Sequence, residues 1–180
     1  MTKLNSKQLR ISDPSEEEVK KLKRNPIYLV LDEVIDTYNI GSLFRLADAA
    51  CVAKIYLCGK MDYPPSSRVH KAAVGTENWV PWEKRGSTLE AIKELKKEGV
   101  RIISVEQDPR SVNYRELSSK LQFPCAVVVG NESNGISKEV LSSSDIIVEL
   151  PMYGINKSFN VWGSAAVILY KILESLPTNH

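Results

Sequence analysis

The chain has 180 residues, of which 43% are hydrophobic and 26% charged, and its formal net charge is only +2. This composition is typical of one compact globular domain and excludes both a disordered chain and a strongly basic nucleic-acid coat. Three scattered cysteines without a CxxC spacing and two histidines argue against a disulfide framework and a metal site. No apolar run is long enough for a membrane span, and no signal peptide is evident, so we expect a cytoplasmic protein without a metal.

The N-terminal segment 1–24 carries seven basic and four acidic side chains, an excess of three positive charges. Asp13 as a cap, Pro14 in the first turn and acids preceding bases predict a short helical arm over residues 1–25. This arm is either a solvated helix face or a contact for RNA phosphates. Residues 26–180 are predicted to form a single domain.

From residue 26 onward, short apolar runs alternate with amphipathic segments. We predict strands at 27–32, 54–59, 101–106, 125–130 and 146–150. Helices are predicted at 39–51, near 68–74, and at 87–99, 137–144 and 158–175. The strands are continuously apolar, which is typical of strands buried on both faces. The pattern predicts an α/β fold with a mainly parallel sheet covered by helices on both faces.

The segment CAVVVGNESNGIS (125–137) places a glycine-bearing turn between a strand and a helix. Gly130 and Gly135 have the spacing of a phosphate-binding P-loop, but Ile136 stands where that loop needs lysine. This disfavours a nucleotide triphosphatase, whose mechanism requires that charge, and leaves a nucleotide-binding protein built on these glycines as a distant option. Glu132 in this turn is either a helix-capping carboxylate or a site residue.

Two further segments combine polar residues with helix starts. In LPMYGINKSFNVWG (150–163), Ser158 or Asn156 could cap the last helix, and Asn160 adds an amide near its start. In NIGSLFRLADAA (39–50), Asn39 lies at a helix entrance and Arg45 lies beside the apolar stripe. Arg45 is open to two interpretations, a snorkelling surface residue or a functional one.

Together and in this order, the three segments resemble the SpoU (TrmH-like) branch of the SPOUT RNA 2′-O-ribose methyltransferases. Asn39 and Arg45 match that branch's first motif, the G-N-E-x-x-G run at 130–135 its second, and LPMYGINKSFNV its third. The resemblance implies a C-terminal deep trefoil knot, a rare exception to the rule against threaded loops. It also implies a homodimer that binds S-adenosylmethionine and methylates ribose 2′-hydroxyls of tRNA or rRNA.

The resemblance assigns roles residue by residue. Arg45 matches the residue that activates the 2′-hydroxyl, as a base or as a stabiliser of the alkoxide. The other residues predicted to shape the catalytic site are Asn39, Glu132, Ser158 and Asn160. The predicted cofactor contacts are Gly130, Leu150, Met152, Ser158 and Phe159. The candidate RNA contacts are Lys20, Lys21, Lys23, Arg24, Arg68, Lys71 and Lys157.

The chain departs from the family pattern at two positions and shows no separate N-terminal RNA-binding domain. Phe159 replaces a more usual leucine, and Trp162 stands where a small residue is commoner, so pocket shape and dimer packing are open. The missing domain favours tRNA over rRNA as substrate. The alternative to an enzyme is a catalytically silent RNA-binding module of the same fold.

Overall fold

The computed structural model describes residues 13–176. Seven strands form one parallel sheet in the order β3-β2-β1-β6-β4-β7-β5. The strands are β1 (Asn25–Asp32), β2 (Val52–Cys58), β3 (Trp82–Arg85), β4 (Arg101–Val105), β5 (Val112–Asn113), β6 (Cys125–Val129) and β7 (Ile146–Glu149). The prediction of a parallel α/β sheet is confirmed, while the trefoil knot stays a prediction.

Residues 13–176 also form six α-helices and two 3₁₀ segments. The helices are α1 (Glu16–Lys21), α2 (Thr37–Ala49), α3 (Ser67–Ala73), α4 (Thr88–Lys97), α5 (Lys138–Ser142) and α6 (Val161–Leu173). The 3₁₀ segments are Thr76–Asn78 and Tyr114–Lys120. Ser15, rather than the predicted Asp13, caps α1, because its hydroxyl accepts from the Glu18 N–H while the Glu18 carboxylate accepts from the Ser15 N–H.

Alternate side chains of the central strands enter two separate cores. Leu29 and Leu31 pack on the face covered by α2 and α6, whereas Val30 packs on the face covered by α4 and α5. Each strand is therefore apolar on both sides, which explains the unbroken hydrophobic runs of the sequence. The helices cover both faces of the sheet, as the sequence predicts.

Two strands were missed by the sequence pattern. The edge strand β3 reads WEKR and is only half-buried, so it shows no apolar run. The other edge strand, β5, is two residues long. Edge strands lack a second neighbour and bury less, so polar sequences are tolerated there.

Candidate active site

The strand order reverses direction at the boundary between β1 and β6. From β1 the chain crosses to β2 on one side, while β6 pairs with β1 on the other. The loops after these two strands, 33–36 and 130–136, both lie at the carboxyl edge of the sheet. Open α/β sheets bind ligands in the crevice formed at such a point.

Glu132 joins these two loops. Its Oε2 accepts from the Ile35 N–H at 3.1 Å, and its Oε1 accepts from the Asp36 N–H at 3.0 Å. The Asn39 Nδ2 donates to the same Oε1 at 2.8 Å. The carboxylate does not cap its own following helix, because Ser137 caps α5. Glu132 instead fixes the entrance of α2.

Asn160 extends this contact to the third motif. Its Nδ2 donates to the Asn39 Oδ1 at 3.2 Å, and its Oδ1 accepts from the Trp162 N–H at 3.0 Å. Asn160 is thus the cap of α6, which begins at Val161 and not at Ser158 as the sequence predicts. The three predicted residues Asn39, Glu132 and Asn160 form one hydrogen-bonded chain, called here the Glu132 network.

The Glu132 network holds a carboxylate with neutral donors alone. Burial raises the pKa of Glu132, but hydrogen bonds from Asn39 and from the Ile35 and Asp36 N–H groups outweigh burial and lower it overall. In the described part of the chain, no Lys or Arg nitrogen lies within 4.0 Å of this carboxylate. Its negative charge is therefore not balanced by an ion pair.

The turn that carries Glu132 depends on two glycines. A Cβ on Gly130 would lie well inside contact distance of the Gly135 backbone, and Gly135 itself has a φ of 64°. Asn131 stabilises the turn from within, since its Oδ1 accepts from the Ser133 N–H at 2.8 Å and its Nδ2 donates to the Glu33 carbonyl at 2.8 Å. A larger residue at position 130 would displace the turn.

A cleft of about 920 Å³ opens beside the turn, between the loops after β4, β6 and β7. Its volume is in the range of pockets that hold a nucleoside-sized ligand. The main chain and small side chains of the glycine turn form one wall, and apolar side chains form another. The predicted cofactor residues all line it, namely Gly130, Leu150, Met152, Ser158 and Phe159.

Phe159, one departure from the family pattern, has a local explanation. A Cβ on Gly163 would meet the Phe159 ring at 3.0 Å, so the ring lies over the glycine of the first turn of α6. The absence of a side chain at Gly163 thus provides room for the ring. Trp162 next to it is exposed at the protein surface.

Two polar residues of this cleft were missed by the sequence reasoning. Glu106 follows β4 and accepts from the Ile136 N–H at 3.0 Å and from the Gln107 N–H at 2.9 Å. The Gln107 amide donates to the Lys157 carbonyl at 2.6 Å and so ties down the loop before α6. The sequence did hold a signal for Glu106, because it directly follows a buried parallel strand, where such sheets bind their ligands.

Arg45 is exposed on α2 and makes no hydrogen bond within residues 13–176. Arg45 lies six positions after Asn39 on the helix, which rotates its side chain to roughly 120° from that of Asn39 and moves it about 9 Å along the axis. The structure therefore brings Asn39, Glu132 and Asn160 together and leaves Arg45 apart from them. Ser158 lines the cleft without a hydrogen bond in the described residues.

The candidate RNA contacts fall into three groups. Lys23, Arg68 and Lys71 are exposed, and Lys157 lines the cleft. Lys20 and Lys21 face Glu16 and Glu17 one turn earlier. The remaining arm residues 1–12 lie outside the described residues.

Arg24, another predicted RNA contact, makes hydrogen bonds within the fold. Its half-buried guanidinium donates to the Val52 carbonyl at 3.3 Å and to the Trp79 carbonyl at 2.8 Å. These bonds hold the start of β1 against the neighbouring loops, and an RNA contact of Arg24 stays a prediction.

Residues 13–176 contain no group of three or more His, Cys, Asp or Glu side chains arranged to hold a metal ion. Within the same range, every helix is too short or too polar to cross a membrane.

Comparison with known proteins gives consistent results. Residues 26–170 match the SpoU rRNA methylase family. A tRNA (guanosine(18)-2′-O)-methyltransferase of Borreliella burgdorferi is 26% identical over 89% of this chain and 72% of its own length. The 23S rRNA (guanosine-2′-O-)-methyltransferase RlmB of Neisseria meningitidis is 30% identical over 86% of this chain and 60% of its own length.

Among solved structures, the AdoMet-bound rRNA methyltransferase of Sinorhizobium meliloti superposes with a TM-score of 0.79. It is 25% identical and covers 89% of this chain, which spans 61% of that protein. The family match covers all three segments that the Glu132 network joins. The chain belongs to the SpoU rRNA methylase family.

Proposed function

We propose that this chain transfers a methyl group from S-adenosylmethionine to a ribose 2′-hydroxyl of RNA, with tRNA favoured over rRNA. The observation that carries the proposal is the Glu132 network, which joins three distant segments at the mouth of one cleft. Family membership and the names of the relatives support the reaction class. Such a substrate would place the protein in the cytoplasm.

The cleft has the residues that a nucleoside-like, positively charged cofactor requires. Gly130 and Leu150 would contact it through the main chain, and Met152 and Phe159 would supply apolar surface. When bound, S-adenosylmethionine supplies an electrophilic methyl group on a sulfonium. The unbalanced charge of Glu132 in the lining favours a cationic ligand.

The chain's own residues position the RNA nucleophile. The Glu132 network fixes the entrance of α2, and with it the orientation of the helix that carries Arg45. Arginine stays protonated in proteins, so we assign Arg45 the role of stabilising the developing alkoxide rather than of accepting its proton. An RNA phosphate oxygen would then take the proton.

A homodimer is part of the proposal. Tyr153, Ile155, Trp162 and Tyr170 are 82%, 99%, 38% and 52% exposed on α6 and the loop before it. Exposed apolar side chains concentrated on one element typically mark a protein interface. Sedimentation of the wild type and of Trp162→Lys tests this, because a dimer that uses this surface should dissociate in the variant.

Calorimetry with S-adenosylhomocysteine tests the cofactor, and transfer of labelled methyl groups to an unmodified tRNA transcript tests the reaction. We expect micromolar binding and RNA labelling that Arg45→Lys reduces strongly. Near-full activity of Arg45→Lys would contradict a guanidinium role. RNA binding without S-adenosylhomocysteine binding would identify a catalytically silent module instead.

A further inference from the structure

A second groove, of about 670 Å³, lies at the same edge of the sheet. Ile35 and Asp36, whose N–H groups Glu132 holds, line one side of it. The opposite side comes from the loop after β2 and the start of α3. The lining residues are Ile35, Asp36, Thr37, Lys60, Met61, Asp62 and Arg68. The segment 35–37 therefore links the groove to the Glu132 network.

The loop after β1 is bonded both to the opposite wall of the groove and to the glycine turn. The Glu33 Oε1 accepts from the Lys60 N–H at 3.5 Å, and the Glu33 carbonyl accepts from the Asn131 Nδ2 at 2.8 Å. Gly59 has a φ of 77°, and a Cβ there would lie 2.6 Å from the Glu33 Oε1. The backbone of Lys60 is thus held in place while its side chain stays exposed.

The cations of the groove are available for a ligand. Within residues 13–176, neither Lys60 nor Arg68 has a carboxylate oxygen within 4.0 Å. The Asp36 carboxylate accepts from the Tyr38 N–H at 2.8 Å and caps α2. Asp62 is the other acid of the lining and is exposed. The Asp36 carboxylate is thus engaged by the helix, and the unpaired Lys60 and Arg68 side chains are the groups that could neutralise phosphates.

An aromatic side chain follows directly after the lining residue Asp62. The Lys84 Nζ lies 4.0 Å from the Tyr63 ring centroid, and the Trp82 ring lies 6.5 Å away at an angle of 41°. Tyr63 is 41% exposed, and the apolar Ile35 in the groove is 56% exposed. Cations interleaved with exposed aromatic and apolar side chains are typical of surfaces that bind unpaired RNA nucleotides.

We infer that this groove binds the RNA segment adjoining the methylated nucleotide. Lys60 and Arg68 contact its phosphates, and Tyr63, supported by Lys84, stacks on a base. The inference rests on the proposed function and adds the path of the substrate away from the cleft. The groove lies next to segment 35–37, so the Glu132 network adjoins the cofactor cleft on one side and the RNA groove on the other.

The test compares Lys60→Ala/Arg68→Ala with Lys97→Ala as the matched control. Lys97 is exposed at the last turn of α4 and has no carboxylate partner in the described residues. Binding of an unmodified, labelled tRNA transcript is followed by anisotropy at several salt concentrations. We expect the double variant to lose about tenfold in affinity and the slope of log K against log salt to fall by about 1.5.

Tyr63→Ala separates stacking from charge. Loss of one stacked base should weaken transcript binding by about tenfold with an unchanged salt slope, and Tyr63→Phe should restore binding. Affinity for S-adenosylhomocysteine and the thermal unfolding midpoint should stay at wild-type values in all these variants.

A double variant that matches Lys97→Ala in both affinity and salt slope would overturn the groove as an RNA site, with the proposed function intact. A wild type that binds the transcript but neither binds S-adenosylhomocysteine nor labels RNA would overturn the proposed function and leave the groove result interpretable. A wild type that binds no transcript would overturn the groove inference.

Discussion

Two polar networks in this protein use opposite means to hold a carboxylate. In the Glu132 network the donors are two backbone N–H groups and an amide. At the sheet edge, Arg85 contacts both Glu83 and Glu94, and Lys54 contacts Glu83 at 3.1 Å. This second set, called here the Arg85 network, contains two cations and two anions and is balanced.

The two networks differ in whether their charges are free to act on a ligand. The contact with Arg85 lowers the pKa of Glu83, and Glu83 and Glu94 together raise the pKa of Arg85. Because these charges satisfy one another, they have little attraction left for a ligand. The Arg85 network instead holds β2, β3 and α4 together. The Glu132 carboxylate keeps its charge and lies in the lining of a cleft. Substitutions in the two networks should therefore fail in different assays.

The largest expected effect is on catalysis at Glu132. Glu132→Ala removes the acceptor for the Ile35, Asp36 and Asn39 donors and lets the entrance of α2 move. Misplacement of about 1 Å near a reacting group can cost 100-fold, so we expect the turnover rate to fall about 100-fold. Glu132→Gln should recover part of it, because its amide oxygen still accepts. Single-turnover kinetics check both, and a changed RNA affinity with an unchanged rate would count against a positioning role.

The next effect is on cofactor binding at the turn that carries Glu132. Gly130→Ala places a Cβ against the Gly135 backbone, and the turn must rearrange. We expect the affinity for S-adenosylhomocysteine to fall at least tenfold in calorimetry. Gly154→Ala is the matched control, since a Cβ there meets no atom within 4 Å. Equal affinities of the two variants would contradict the assignment of the cleft.

The Arg85 network should respond in stability alone. Arg85→Met leaves Glu83 and Glu94 without a shared cation, and the Arg85 side chain is only 17% exposed. Because the acids are partly solvated, we expect a loss of about 1–2 kcal/mol in the free energy of unfolding by urea. Methyl transfer by the folded variant should match the wild type, and a large loss of rate would remove the contrast between the networks.

The smallest expected effect is on the pH dependence of folding stability, to which Glu132 and Asp32 contribute with opposite signs. The lowered pKa of Glu132 contributes stability that is lost as pH falls below about 4.5 through its folded value. Burial raises the pKa of Asp32, although hydrogen bonds from Thr88 and the Ser137 N–H oppose it. The cost of burying the charged Asp32 is therefore relieved as pH falls from its raised folded pKa toward 3.8, so stability rises over that range.

Urea unfolding at a series of pH values checks these signs. Glu132→Gln should flatten the acid loss of stability, and Asp32→Asn should steepen it, each by under about 1 kcal/mol. If both substitutions changed the acid loss of stability in the same direction, the opposite pKa shifts assigned to Glu132 and Asp32 would be contradicted.

The sequence predicted the central strands and most helices because burial on both faces leaves unbroken apolar runs. It missed β3, since the edge strand WEKR packs only Trp82 against the core and is otherwise held by one neighbouring strand and the Arg85 network. It also placed the start of α6 too early, because Ser158 and Asn160 are both good caps and only the contact with Asn39 distinguishes them.

The candidate site could be predicted only through the family resemblance. Asn39 and Glu132 lie 93 residues apart, and Asn39 and Asn160 lie 121 apart, so only the strand order brings them together. Glu106 was missed because no motif includes it, although its position after a buried strand was readable. Within one chain Glu132 and Asn160 bond to Asn39 and not to Arg45, so the role of Arg45 stays a prediction.

The most direct test of the central claim is the position of the transferred methyl group. The chain is incubated with labelled S-adenosylmethionine and an unmodified tRNA transcript, and the RNA is digested to nucleosides for mass spectrometry. The proposed function predicts a single 2′-O-methylated nucleoside, absent with Glu132→Ala at matched short times. A methyl group on a base, or none in either tRNA or rRNA transcripts, would contradict it.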